Sequence, residues 1–334
     1  MMGTSSSKAG DVATAVGLCA ALGIITATAQ AATTPTVAEF LNAANCEYLV
    51  NAVPAGMHAF TQNGTAVTFT DNEDGVVASV FVTSENQVLI AYQGTTGGLN
   101  FSLDPIAAAS QVITDIGIFL DDTSKGLTPG AYSVALNFAK SVVTLAAAQG
   151  YTASNVFVTG HSLGGIEAQY VAQQTGLSGM SFEATGLATH AAAGATGSNF
   201  VNLVTDGDPV GNFASDIQGE QPFAPAFVSQ GGKAPHYGPI VTLGSATDQE
   251  RLSLTVANLD DPLDDPSILL NLYDMVLEFH LIGVQAHDTG VTLNPSSAQE
   301  DGMGNLNGPV FAIAALDIPG LIQQATTAGK LIAP

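Results

Sequence analysis

The chain has 334 residues, 46% of them apolar, and carries 29 acidic against 6 basic side chains, a formal net charge of −23. That apolar content supports a sizeable core and excludes wholesale disorder, and so acidic a chain lacks the cations that nucleic-acid phosphates or anionic lipid surfaces require. Only 10% of the residues are charged, below the roughly 25% usual for soluble domains, so the surface is built from small and uncharged polar side chains in the manner of a secreted protein.

The chain opens with Lys8, an apolar stretch from Val12 to Ile25, and Ala29-Gln30-Ala31 before Ala32. This is the charge, apolar core and small-x-small pattern of a secretory signal peptide over residues 1–31, which predicts a secreted or periplasmic protein. A buried Ala-rich helix is the other reading of that stretch. Cys19 lies inside it, so cleavage would leave Cys46 without an intramolecular partner, and two cysteines make neither a disulfide framework nor a zinc site. No other apolar run reaches the roughly 20 residues of a membrane-spanning helix, so no transmembrane anchor is expected.

Residues 32–334 read as one domain without linker or repeat. Runs at 66–70, 76–83 and 87–92, separated by polar turns, predict a β-meander. Pro129-Gly130 opens a helix to Gln149, with apolar residues at Val134, Leu136, Phe138, Val142, Val143, Leu145 and Ala146, and Gly150 ends it. A strand over 155–159 and a helix over 163–174, closed by Gly176, follow. Further strands are predicted at 180–184, 200–204 and 239–243, and helices at 268–286 and 310–328. Strands alternating with helices mean a mostly parallel central sheet with helices on both faces. Gly244 to Pro266 reads as irregular, and Asp260 to Asp265 within it as a solvated loop, because the run lacks the oxygen spacing of a calcium site.

Val156-Phe157-Val158-Thr159-Gly160-His161-Ser162-Leu163-Gly164-Gly165 places a G-x-S-x-G sequence between a β-branched strand and a helix. That context presents a serine on a strained turn at the carboxyl edge of a sheet, where the following helix N-terminus favours an anion. A serine hydroxyl is a poor nucleophile near neutral pH, so it needs a base and a carboxylate that orients the base. In the chain order Ser, Asp, His, the acid is Asp208, beyond the strand at 200–204, with Asp206 as its near rival and an Asx-type turn as the bland reading of either. Of six histidines, His58 and His190 break the order, and His161, beside Ser162, is expected to point elsewhere. His280 sits among apolar neighbours as a base in a pocket would; His287, beside Asp288, and His236 stay open. On one continuous helix His280 and His287 would share a face about 10.5 Å apart, so only one of them would reach Ser162.

These residues resemble the class 3 lipases of the α/β-hydrolase superfamily. Val88 to Thr96 is similar to that family's strand ending in an aromatic residue, Arg, Gly and Ser or Thr; Gly160 to Gly165 matches its nucleophile motif; Asp208-Pro209-Val210 resembles its Asp-x-Val motif. His236-Tyr237-Gly238 resembles its structural His-x-Gly. The resemblance implies an α/β-hydrolase fold, an oxyanion hole formed by Thr95 and the Leu163 amide, and no metal or cofactor. Gln93 departs from the family's Arg, and the segment around His280 lacks its acidic or tyrosine companions.

The expectation is a secreted serine ester hydrolase, lipase or carboxylesterase, with Ser162 as nucleophile, His280 as base, Asp208 as orienting acid and Thr95 with Leu163 as oxyanion donors. Its partner would be an ester substrate, a lipid or small acyl ester. Ile268, Leu269, Leu270, Leu272, Met275 and Leu277 would line an acyl pocket or belong to a lid within 244–278, or form a buried helix. Polyester hydrolysis and acyl transfer would use the same site, and a non-catalytic binding protein on a hydrolase fold is the reading from another class.

Overall fold

The computed structural model describes residues 34–95, 130–187, 199–214, 216–217, 235–256, 271–272, 274–296 and 309–333, all within the unit Ala32–Pro334. The signal-like segment, His190, the Asp260–Asp265 run and Ile268 to Leu270 lie outside the described residues.

After a first helix, α1 (Val37–Cys46), come four short strands, β1 (His58–Ala59), β2 (Thr61–Gln62), β3 (Thr65–Ala66) and β4 (Thr68–Thr70), then β5 (Val77–Val82) and β6 (Val88–Tyr92). Helix α2 (Gly130–Ala148) precedes β7 (Val156–His161), α3 (Leu163–Thr175), β8 (Ser178–Phe182), β9 (Phe200–Thr205) and β10 (Ile240–Leu243). The rest comprises α4 (Ala246–Val256), a π-helical turn at Val276–His280, α5 (Ile282–Thr289), α6 (Ile318–Ala328) and β11 (Leu331–Ile332).

The main sheet runs β1-β5-β6-β7-β8-β9-β10-β11, with β4 also on β5. Strands β6 to β10 are parallel neighbours, and β5 and β11 join antiparallel at either side. Every residue of β6, β7 and β9 is buried, as expected for strands covered on both faces. One face packs against α2 and α3 through Tyr132, Ala135, Phe138, Ile166 and Val171. The other packs against α1, α5 and α6 through Phe40, Leu41, Ile282, Ala286 and Leu321. A mostly parallel sheet between two helical layers is the α/β-hydrolase fold that the sequence predicts.

The parallel strands send their carboxyl ends to one edge, which is where open α/β sheets carry their sites. Two glycines let strand and helix meet there. A Cβ on Gly160 would lie 2.2 Å from the Gly164 carbonyl oxygen, and one on Gly164 would lie 2.2 Å from the Tyr92 carbonyl oxygen. Backbone occupies both positions, so no side chain fits.

Three predicted elements differ. The late helix is not continuous from 268 to 286: after the π-helical turn, Leu281 is extended (φ −67°, ψ 142°) and α5 starts anew at Ile282. The apolar pattern runs on through the break, so periodicity carries no mark of it, and His280 and His287 do not lie on one helix. The stretch after Gly244 is not irregular throughout. It begins with α4, whose first turn is held by Ser245, its hydroxyl donating to Asp248 Oδ2 at 2.6 Å; that helix is mostly polar, with Leu252 its fully buried apolar residue, and shows little period. The last helix begins at Ile318, not Val310. Asp317 caps it by accepting from the Gly320 N–H at 2.9 Å, and Pro319 fits the first turn but would break a helix running through it from 310.

Helix α2 is long and apolar enough to cross a membrane by length and composition, which the sequence reading did not count. Its stripe of Tyr132, Ala135, Phe138, Ala139, Val142 and Ala146 is buried in the domain, while Ser133, Asn137, Lys140, Ser141 and Thr144 are exposed. That division is the pattern of an amphipathic helix on a packed sheet.

Candidate active site

Ser162 follows β7 directly and caps α3, with φ 57° and ψ −128°. Positive φ in a non-glycine residue is costly and persists only where the surroundings enforce it. Here the close approach of Gly160 and Gly164 enforces it. The side chain is carried into a tight bend and the Leu163 amide stands at the first position of α3, where backbone N–H groups have no intrahelical acceptor.

Three sequence-predicted side chains meet at this point. The Ser162 hydroxyl lies 2.9 Å from His280 Nε2, and His280 Nδ1 lies 3.0 Å from Asp208 Oδ2. Asp208 is fully buried and Ser162 and His280 are each 2% exposed, so the chain of hydrogen bonds is shielded from water. Asp208 Oδ1 accepts from the Val210 N–H at 3.0 Å and Oδ2 from the Gly211 N–H at 2.8 Å. The Asx-type turn and the contact with His280 therefore coexist in one residue. Burial alone would raise the Asp208 carboxyl, but His280 and the hydrogen bonds it receives hold it below the usual carboxylate range.

The competing histidines are elsewhere engaged. His287 Nδ1 pairs with Asp288 Oδ1 at 3.0 Å, its side chain 27% exposed. His236 Nδ1 meets Asp216 Oδ1 at 2.9 Å and its Nε2 meets the Ala184 carbonyl at 3.0 Å. Asp206, the rival acid, sits where the chain leaves β9, with its N–H on the Leu243 carbonyl at 3.0 Å.

Thr95 follows Gly94, and a Cβ on Gly94 would lie 3.2 Å from Ser162 Cβ and 2.1 Å from the Tyr48 hydroxyl oxygen. Thr95 is thus one residue past a backbone contact with the serine. Its Oγ1 is buried without a hydrogen-bond partner, a costly state for a hydroxyl unless a further group completes it. Gln93, which departs from the resembled motif, donates Nε2 to the Glu47 carbonyl. The apolar residues of the late segment that are described, Leu272, Met275 and Leu277, are buried, and Leu272 and Met275 pack with Phe279 and Leu252 of α4.

Sequence reasoning missed the residues behind the site. His161 lies beneath His280 with ring centroids 5.0 Å apart. Its Nε2–H donates to the His280 carbonyl and its Nδ1 accepts from the Tyr48 hydroxyl, each at 2.7 Å. Burial, and then the proximity of His280, lower His161 to about 3, so it stays neutral and fixes the backbone of His280. An unfolded chain would protonate it below about pH 6.5, so its contribution is complete above that pH and is lost as pH falls toward 3. Between those limits, urea unfolding of the wild type is expected to lose stability faster than that of His161→Gln by up to about 1.4 kcal/mol per pH unit. Equal slopes for the two proteins would mean that His161 does not titrate this way. The only sequence signal for its role was its place beside Ser162.

No family model and no curated protein sequence matches the chain. Among solved structures it is similar to the extracellular lipase LipA from Serratia marcescens, at 22% identity over 48% of this chain and 29% of that one, with a TM-score of 0.32. A triacylglycerol lipase from Penicillium expansum gives 19% identity, 65% and 84% coverage and a TM-score of 0.33. M37 lipase gives 12% identity, 72% and 95% coverage and a TM-score of 0.30. The chain spans less than a third of the Serratia lipase, and at these scores any reading of its chemistry rests on its own side chains.

Proposed function

We propose that the protein is a serine ester hydrolase of the lipase or carboxylesterase kind, similar to the class 3 lipases. The observation that carries this is the buried relay from Ser162 Oγ through His280 to Asp208, at 2.9 and 3.0 Å, on a serine with positive φ. Ser162 Oγ attacks the ester carbonyl carbon as His280 Nε2 takes its proton, and His280 then returns that proton to the departing alcohol. Water, deprotonated by the same nitrogen, cleaves the acyl-enzyme and releases the acid. Asp208 keeps Nδ1 protonated and stabilises the imidazolium without taking the proton itself.

Thr95 and the Leu163 amide serve as the oxyanion donors. The unpartnered Thr95 Oγ1 supports this, because a donor held ready for a charge that appears only in the transition state has no partner in the resting enzyme. The acyl side of the substrate is apolar, and the charge of −23 favours neutral or hydrophobic aggregates over anionic surfaces. The pattern of residues 1–31 supports secretion.

The test is hydrolysis of p-nitrophenyl esters from acetate to palmitate, together with labelling by an alkyl phosphonate. The expected result is turnover with a chain-length maximum and one phosphonyl adduct, on the peptide bearing Ser162. No turnover at any chain length together with no adduct at Ser162 would overturn the proposal.

A further inference from the structure

A second buried carboxyl group stands beside Asp208. Glu183 directly follows β8, is fully buried, and has φ 49°, a conformation few non-glycine residues adopt without support. The support is a set of donors on one oxygen: Oε1 accepts from the Thr205 N–H at 2.9 Å and from Gln285 Nε2 of α5. The other oxygen, Oε2, is buried without a donor. It faces Asp208 across Gly211, where an added Cβ would lie 2.4 Å from Glu183 Oε2 and 3.1 Å from Asp208 Oδ2.

Two carboxyl groups so placed do not both ionise, because like charges in a shared dry site repel strongly. Asp208 has the better claim to the charge, with His280 Nδ1 and the Val210 and Gly211 amides already on it. Glu183 Oε2 has no donor to offset a charge, whereas a proton on Oε2 would satisfy both groups at once. Burial and the neighbouring Asp208 charge push Glu183 well above the usual carboxylate range.

We propose that Glu183 is a positioning residue for the triad, a neutral carboxylic acid whose Oε2–H donates to the Asp208 carboxylate and holds it against His280. This rests on reading Ser162, His280 and Asp208 as the catalytic relay. A third kind of donor on Asp208 fixes its rotamer and lowers its basicity, so the proton taken from Ser162 stays on His280. Thr205 and Gln285 orient Glu183 in turn. Through Gln285, α5 has a task in the site besides packing.

The full-length protein, with Glu183→Gln and Glu183→Met, tests this by two readouts. Infrared difference spectra at about pH 8, wild type or Ser162→Ala minus Glu183→Gln, are expected to show a protonated carboxylic acid component that belongs to Glu183, over the band of the buried Glu167 common to all variants. In hydrolysis, Glu183→Gln keeps a neutral N–H donor and is expected to hold kcat within about threefold with an unchanged pH profile. Glu183→Met removes the donor and is expected to lower kcat by about 10- to 100-fold at unchanged KM, the worth of one hydrogen bond to a charged group. An infrared band untouched by Glu183→Gln, or a loss of activity as large in Glu183→Gln as in Glu183→Met, overturns the proposal; if Glu183→Met does not fold, the glutamine variant and the band decide. Absence of hydrolysis in the wild type would instead overturn the relay, and the infrared result would still report whether Glu183 carries the proton.

Discussion

Ser162→Ala is expected to lower kcat for ester hydrolysis by about 10⁴- to 10⁶-fold while leaving the protein folded. In the proposed reaction Oγ is the atom that bonds to the acyl carbon, and no other hydroxyl is 2.9 Å from His280 Nε2 among the described residues. What remains is the rate of water attack assisted by the oxyanion donors and by binding, which in comparable relays is about 10³- to 10⁴-fold over the uncatalysed reaction. Stability should change little. Alanine at φ 57° bears the same backbone strain that Ser162 bears, so the substitution removes only the hydrogen bond to His280, worth about 1 kcal/mol. Turnover measured with a short-chain p-nitrophenyl ester, alongside urea unfolding, checks both halves. Retention of more than about a tenth of wild-type turnover, far above that residual, would sink the serine mechanism.

How much of this was legible beforehand follows from how local each determinant is. The nucleophile turn is local: a β-branched strand, two glycines and a helix are contiguous in sequence, and the backbone contacts at Gly160 and Gly164 show why those residues stand there. The proposed acid was nearly as legible, because Asp208 sits one turn beyond a buried strand with Pro209 after it. The choice of histidine was not settled by local signals, since three histidines satisfied the chain order. What brings His280 to the sheet edge is the π-helical turn and the break at Leu281, and nothing in a continuous apolar run announces a break. Glu183 was invisible for another reason. A single acid at the end of an apolar strand looks like a solvated strand end until the fold places β9 and α5 over it. Pro319, by contrast, was a plain marker that a helix from 310 should have respected.

His280 and His287, two of the three histidines that local reasoning could not separate, are expected to respond in opposite ways to removal. His280→Ala takes away both the proposed base for Ser162 and the partner of Asp208, and should lower kcat by about 10⁴- to 10⁶-fold, close to the loss on removing the serine, because the proposed relay acts as a unit. His287→Ala should leave kcat within about threefold, since its Nδ1 is committed to Asp288 Oδ1 at 3.0 Å and it stands on α5, beyond the break. Its cost should fall on stability instead. Asp288 is 2% exposed; burial raises its carboxyl and the hydrogen bond and charge of His287 oppose that rise. Without His287 the buried carboxyl loses that support and its folded-state pKa climbs further. A group raised in the folded state loses stability as pH rises through that range, so the variant should be weaker than the wild type by about 1 kcal/mol at neutral pH and recover toward acid pH. Turnover and urea unfolding of the same two variants separate the roles: a large kcat loss in His287→Ala with activity kept in His280→Ala would move the base onto α5 and require the chain around Leu281 to rearrange before an ester could react.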